Sequence, residues 1–289
     1  MSREEYLDAF VTMISLRGLT DHTLKSYTTY ISAYLDFVFD FLRKDPADVT
    51  WDEMRLFIKH LQMTRSLADR TINAAISQLR FFTMYVIHKP WDQTQLPMRR
   101  FDQYIPFIPS REEVAMFINA IDDPKTRAMV ILMYSSGLRI REVCNIKCED
   151  IDRKNMRIHI TRSKNRSDRY AMLSPVALKE LEAYWRRCGR PRNYLFPQRS
   201  NPDKPNDPQY VDRYMKSTED KLGWPHRISS HTLRRAFATH FYEDTQDLLT
   251  LKHLMGHKSL NSTTIYVILS NVSLRKYASP FDSLEVRHG

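Results

Sequence analysis

The sequence predicts a mainly α protein in two parts: an N-terminal four-helix bundle, and a C-terminal domain that is mostly helical with one small antiparallel sheet. Three observations carry this. The chain has 289 residues, too long for one average domain and suited to two. Apolar side chains recur at helical spacing through the first ninety residues. Residues 156–173 switch to a period of two, the signature of a hairpin.

The bundle reads off in order. Ser2-Arg3-Glu4-Glu5 is a capping box, in which serine accepts from the amide three residues on and the glutamate answers. Leu7, Phe10, Val11 and Ile14 follow on one face. A second helix starts near Thr20 or Asp21 and carries Leu24, Tyr27, Ile31, Leu35 and Val38. Thr50, three residues before Glu53, caps a third that buries Met54, Phe57, Ile58 and Leu61. A fourth runs from about Ala68 through Ile72, Ala75, Ile76, Leu79, Phe82 and Met84 to near His88. Residues 89–109 hold four prolines (Pro90, Pro97, Pro106, Pro109) and little periodicity, so an extended linker is expected. The division is thus 1–90 for the bundle, 91–109 for the linker and 110–289 for the second domain, with a tail from about 271.

The second domain opens with the capping box Ser110-Arg111-Glu112-Glu113 and a helix to about Ile121. An apolar helix runs from Pro124 to Ser136, and Gly137 stands where a helix terminates. Met156, Ile158 and Ile160 alternate with polar residues and are answered by Tyr170–Leu173, which places Lys164 near a hairpin tip. Ser174-Pro175 starts a helix to about Arg187, since proline fits the first helical position. A loop rich in Pro, Asn and Asp spans 199–209; further helices are expected to near Ser262, then a short polar break.

Composition excludes several classes. With 42% hydrophobic residues the chain can offset its ordering entropy, so it is not disordered. No apolar run approaches the roughly 20 residues that span a bilayer, and no membrane partner is expected. The N-terminus lacks a signal peptide's charge pattern. Three cysteines (Cys144, Cys148, Cys188) make no disulfide framework, which favours a reducing, cytoplasmic setting. The formal charge of +10 is uneven: residues 1–107 hold 13 basic and 13 acidic side chains, residues 108–289 hold 31 and 21. Such a basic half suits a polyanion, because neutralising phosphates releases counterions; a solvated basic surface is the plainer alternative.

The chemistry-bearing residues are ambiguous one at a time. His231 and Arg234 lie three apart, as a phosphate-binding pair or an ordinary surface pair would. Arg139 follows an apolar helix and could pair with Glu142 or Glu149. Lys164 sits among Arg162, Arg166 and Arg169, where a solvated charge is the default. His257 follows Gly256, and Tyr266 comes nine residues later. His253 and His257 have the i,i+4 spacing of two metal ligands, but no Glu follows His253 as metalloproteases require. No metal and no cofactor is expected, and Cys144 and Cys148 read as small apolar groups.

Taken in order, the set is specific. Gly-Leu-Arg-x-x-Glu at 137–142, a basic hairpin holding Lys164, His-x-Leu-Arg at 231–234, Leu-x-Gly-His at 254–257 and Tyr266, all after a helical bundle, resemble the tyrosine recombinase (phage integrase) family, in a Xer-like layout. The resemblance spans essentially the whole chain. It implies a SAM-like, DNA-clamping core-binding domain and a catalytic domain whose active site is Arg139, Lys164, His231, Arg234, His257 and the nucleophile Tyr266, with Glu142 in support. Departures are Ser163 and Asn165, where many members have glycines beside the lysine, Arg235-Ala236 where His-Ser is common, and the proline-rich loop.

The implied reaction is a site-specific cut and rejoining of DNA through a 3′-phosphotyrosine. A phenol, with a pKa of about 10, both attacks and leaves readily, so no ATP is needed. Two guanidiniums hold the non-bridging oxygens, and Lys164 protonates the departing 5′-oxygen. The expected partner is double-stranded DNA with inverted half-sites, with Lys25, Arg70, Arg80, Arg162, Arg166 and Arg235 as the candidate contacts. The resemblance implies a homotetramer on DNA joined through the apolar C-terminal tail, and a protein expected to be nucleoid-associated when bound. Mobile-element integration or excision and replicon dimer resolution are the roles the family suggests. A type IB topoisomerase-like enzyme and a non-catalytic DNA-binding regulator are the alternatives; a pure binder has no use for a tyrosine so placed.

Overall fold

The computed structural model describes residues 1–18, 21–100, 106–161 and 168–270, apart from the side chains of 21, 22 and 65. The chain divides into two compact units, Met1–Tyr104 and Ile105–Gly289.

The first unit is built from α1 (Arg3–Ser15), α2 (Asp21–Asp36), α3 (Trp51–Arg65) and α4 (Asp69–Tyr85). The capping boxes form as read: the Ser2 and Thr50 hydroxyls accept from the Glu5 and Glu53 amides, and each carboxylate returns a bond to its cap. The helical stripes meet in one core around Phe10, Ile31, Tyr34, Phe57, Leu79 and Phe82, all at most 1% exposed. Tyr34 packs edge-on against Phe57 with ring centroids 5.2 Å apart, a favoured aromatic geometry.

Three details depart from expectation. Beyond Asp36, α2 continues as a π-helical turn over Phe37–Leu42 and stops at Arg43, in the left-handed region at φ 54°. The wider turn keeps Phe37 and Val38 in the core. α4 ends at Tyr85, short of His88. The expected linker is packed in its first part: Leu96 is buried, Trp91 meets Trp51 edge-on at 5.1 Å, and Asn73 exchanges two hydrogen bonds with the Arg99 backbone. A tryptophan and a leucine gain more by lying on the bundle than by extending into water.

The second unit contains α5 (Arg111–Ala120), α6 (Pro124–Ser135), α7 (Ile140–Asn145), β1 (Ile151–Asp152), β2 (Arg157–Ile160), β3 (Arg169–Met172), α8 (Pro175–Arg187), α9 (Pro208–Leu222), α10 (Ser230–Thr245), α11 (Leu248–Met255) and α12 (Asn261–Leu269). α6 is the hub, packed by α5, α7, α8, α9 and α10. That explains its apolar run, since a helix buried on every side has no polar face. The hairpin is joined by β1, giving a three-stranded antiparallel sheet ordered β1-β2-β3, with Ile158 opposite Ala171 and Ile160 opposite Arg169.

The largest correction lies near the C-terminus of the described chain. The break falls at residues 256–260, not after Ser262, and the polar run Asn261–Thr264 opens α12, which carries Tyr266. Gly256 stops α11 in the left-handed region at φ 61°, and Thr263 is fully buried, so what reads as a polar loop is the inner face of a helix start.

Candidate active site

Four of the six residues singled out by the sequence come together in the second unit. Arg139 is the N-cap of α7. The Glu142 carboxylate caps that helix by accepting from the Arg139 amide at 2.9 Å, and it also accepts from Arg139 Nη1 at 2.8 Å. One acid thus terminates a six-residue helix and orients the arginine that opens it. Of the two partners open to Arg139, Glu142 is the one it takes.

Arg234 comes from α10 and is 5% exposed. Its guanidinium donates to the carbonyl oxygens of Gly137 and Met255. The turn after α6 and the end of α11 are therefore pinned to one side chain. Gly137 is obligatory there: at φ 61°, a Cβ would lie 2.4 Å from the Phe237 ring. His231, one turn earlier on α10, is exposed. The two residues share a helix face by spacing, but only the arginine enters the core.

His257 follows the Gly256 turn, and its Nδ1 lies 2.9 Å from the Thr263 hydroxyl. Its ring stacks over Tyr266 with centroids 6.4 Å apart and planes 14° apart. Burial, reinforced by the charges of Arg234, Arg139 and Arg169, pushes the His257 pKa down to about 4, so the imidazole is neutral at pH 7. Tyr266 is 6% exposed. Burial raises its phenol pKa, while Arg234, Arg235 and Arg139 pull it back down. Burial beside Arg139 lowers even the Arg234 pKa, to about 10.

Arg169, which the sequence offers only as a neighbour of Lys164, is 8% exposed. Its Nη1 and Nη2 each donate to Glu142 at 2.8 Å, and its Nε donates to the Leu254 carbonyl at 3.3 Å. The signal was present: strand alternation puts Arg169 on the inward face with Ala171, whereas Tyr170 points out. Burial would raise the Glu142 pKa, but the hydrogen bonds and charge of Arg169, with Arg139, hold it at about 2.

Lys164, Arg162 and Arg166 lie outside the described residues, as does the tail from 271. Lys25, Arg70, Arg80 and Arg235 are exposed. Among the described residues no group of three His, Cys, Asp or Glu side chains could hold a metal ion, and no helix is long and apolar enough to cross a membrane.

Known proteins match this chain in sequence and in fold. The model of the phage integrase family matches residues 110–271, and that of the phage integrase N-terminal SAM-like domain matches residues 6–93. The chain belongs to the phage integrase family. Within that family it is 31% identical over 272 residues to y4qK of Sinorhizobium fredii, named as an integrase/recombinase, covering 94% of this chain and 86% of the relative. It is 29% identical over 288 residues to the tyrosine recombinase XerA of Pyrococcus furiosus, covering 98% and 96%. The fold resembles that of the XerH site-specific recombinase bound to palindromic difH substrate (TM-score 0.72, 19% identity, 92% and 82% covered). It also resembles a lambda integrase tetramer bound to a Holliday junction (TM-score 0.69, 19% identity, 89% and 77% covered). This integrase is accordingly a tyrosine-type site-specific DNA recombinase.

Proposed function

We propose that Tyr266 is the nucleophile of a transesterification at a DNA phosphodiester, with Arg139 and Arg234 as the phosphate clamp. The observation that carries this is the convergence of two arginines, a neutral histidine and one buried tyrosine from α7, α10, the turn after α11 and α12. Tyr266 Oη bonds to phosphorus, and the 5′-oxygen leaves with a proton from Lys164, so a 3′-phosphotyrosyl bond replaces the phosphodiester. The phenol proton passes to His231. The two guanidiniums balance charge on the non-bridging oxygens as it develops, the role of preorganised cationic donors. In the tautomer whose Nδ1 accepts from the Thr263 hydroxyl 2.9 Å away, His257 carries its proton on Nε2 and donates it to a phosphate oxygen. Protein cations supply the charge, so the reading needs no cofactor.

The partner is double-stranded DNA bearing inverted half-sites, gripped by both units, with Lys25, Arg70 and Arg80 on the first and Arg162, Arg166 and Arg235 on the second. Solved relatives are described as bound to difH substrate, to transposon circular intermediate DNA and to a Holliday junction. Exchange between two duplexes needs four nucleophiles, hence a homotetramer on DNA, joined through the tail from about 271. Integration, excision and dimer resolution all share this chemistry.

The test uses a duplex selected by the protein from a randomised pool and then nicked beside the crossover point. Wild type accumulates a denaturant-stable covalent adduct on it, while Tyr266→Phe binds equally and forms none. An adduct in Tyr266→Phe would move the nucleophile to another tyrosine.

A further inference from the structure

Glu142 creates a difficulty for the clamp. Paired with Arg139 alone it would neutralise that cation, and a neutral pair has little attraction for a phosphate. The structure places a second guanidinium on the same acid. Both Glu142 oxygens take a bond of 2.8 Å from Arg169, and the two side chains are 7% and 6% exposed. Each oxygen thus accepts from both arginines, one through the Arg139 side chain and the other through its backbone amide.

We propose that Arg169 is the positioning residue of the clamp: by holding both oxygens of Glu142 it leaves the charge of Arg139 for the scissile phosphate and fixes the direction in which Arg139 points. The inference rests on the proposed function, since it concerns how that clamp is set. Arg169 commits its own charge to Glu142, so the Arg139–Glu142–Arg169 triad carries a net single positive charge, and both oxygens of the buried acid are held by Arg169 as well as by Arg139. The same side chain reaches the third part of the site. Its Nε bonds the Leu254 carbonyl, and at Gly256 a Cβ would lie 2.9 Å from Arg169 Cδ, so the glycine turn that presents His257 is shaped around this arginine. One guanidinium thereby sets the distance between the α7 arginine and the turn before α12. Lysine cannot replace it, because a point charge lacks the fork that meets two oxygens at once.

The experiment uses the full chain and the selected, nicked duplex, in two forms: an ordinary scissile phosphate, and a methylphosphonate in which a neutral methyl replaces one non-bridging oxygen. In Arg169→Met the adduct-forming rate at saturating DNA should fall about 10- to 100-fold on phosphate, the usual effect of removing a group that orients a ligand. DNA affinity should change less than about threefold, because the Arg169 guanidinium is buried and committed to Glu142. On the methylphosphonate, where less charge needs balancing, the loss should shrink several-fold. An equal loss on both substrates, or a wild-type rate on phosphate, overturns the inference. If Arg169→Met fails to fold by circular dichroism, Arg169→Lys is read by the same ratio of losses. Absence of any wild-type adduct overturns the proposed function and this inference with it; wild-type cleavage with unaffected Arg169 variants overturns this inference alone.

Discussion

Replacing Glu142 by glutamine tests the ion-pair centre as a matter of stability, independent of any DNA. Glutamine keeps the shape and can still accept hydrogen bonds, but it leaves the Arg169 guanidinium buried without a countercharge. Removing one partner of a buried pair costs about 3–5 kcal/mol. Linkage gives a second route to the figure. The Glu142 pKa falls from 4.5 to about 2 on folding, and at 1.36 kcal/mol per unit this corresponds to about 3 kcal/mol. The sign follows from the depressed value: the contribution is complete above pH 4.5 and is lost as pH falls towards 2. At pH 3 about 2 kcal/mol of it is gone. Urea unfolding of wild type and Glu142→Gln at pH 7 and pH 3 should therefore show a gap of about 3 kcal/mol that narrows by more than half. A gap under about 1 kcal/mol at pH 7, or one that does not change with pH, would refute the reasoning.

Three other outcomes are expected. Arg139→Ala and Arg234→Ala should each slow adduct formation by several kcal/mol of barrier, but a thermal melt should separate them: only Arg234, buried and bonded to two carbonyls, should also lower Tm markedly. Gly137→Ala forces a Cβ to 2.4 Å from Phe237, so it should cost at least about 2 kcal/mol of unfolding free energy by denaturant titration. Deleting residues 273–289 should leave binding to a single half-site intact in gel-shift assays while abolishing cooperative synapsis; unchanged synapsis would place tetramer formation elsewhere.

Local signals carried most of the fold. The serine–glutamate and threonine–glutamate boxes at Ser2, Thr50 and Ser110 are four-residue patterns with one physical outcome, and each opens a helix where expected. The failures have long-range causes. α12 begins without a capping side chain, at Leu260, and its polar opening becomes helical because Thr263 finds His257 six residues back. The burial of Arg169 depends on an acid 27 residues away that nothing in its neighbourhood announces. The π-helical turn at Phe37–Leu42 satisfies a core, not a propensity. The four clustered site residues were legible because their order is a family pattern; their geometry was not, since Arg234 and His231 look alike in sequence and one is buried.

The Met255 carbonyl has a consequence for safety. It is the last residue of α11, it accepts from Arg234, and the chain beyond it supplies His257 and Tyr266. Local opening of this segment therefore withdraws the phenol, the imidazole and the acceptor that steadies Arg234 in one event. On the proposed reading, a chain opened here is left without its attacking group, so local opening and DNA cleavage exclude each other.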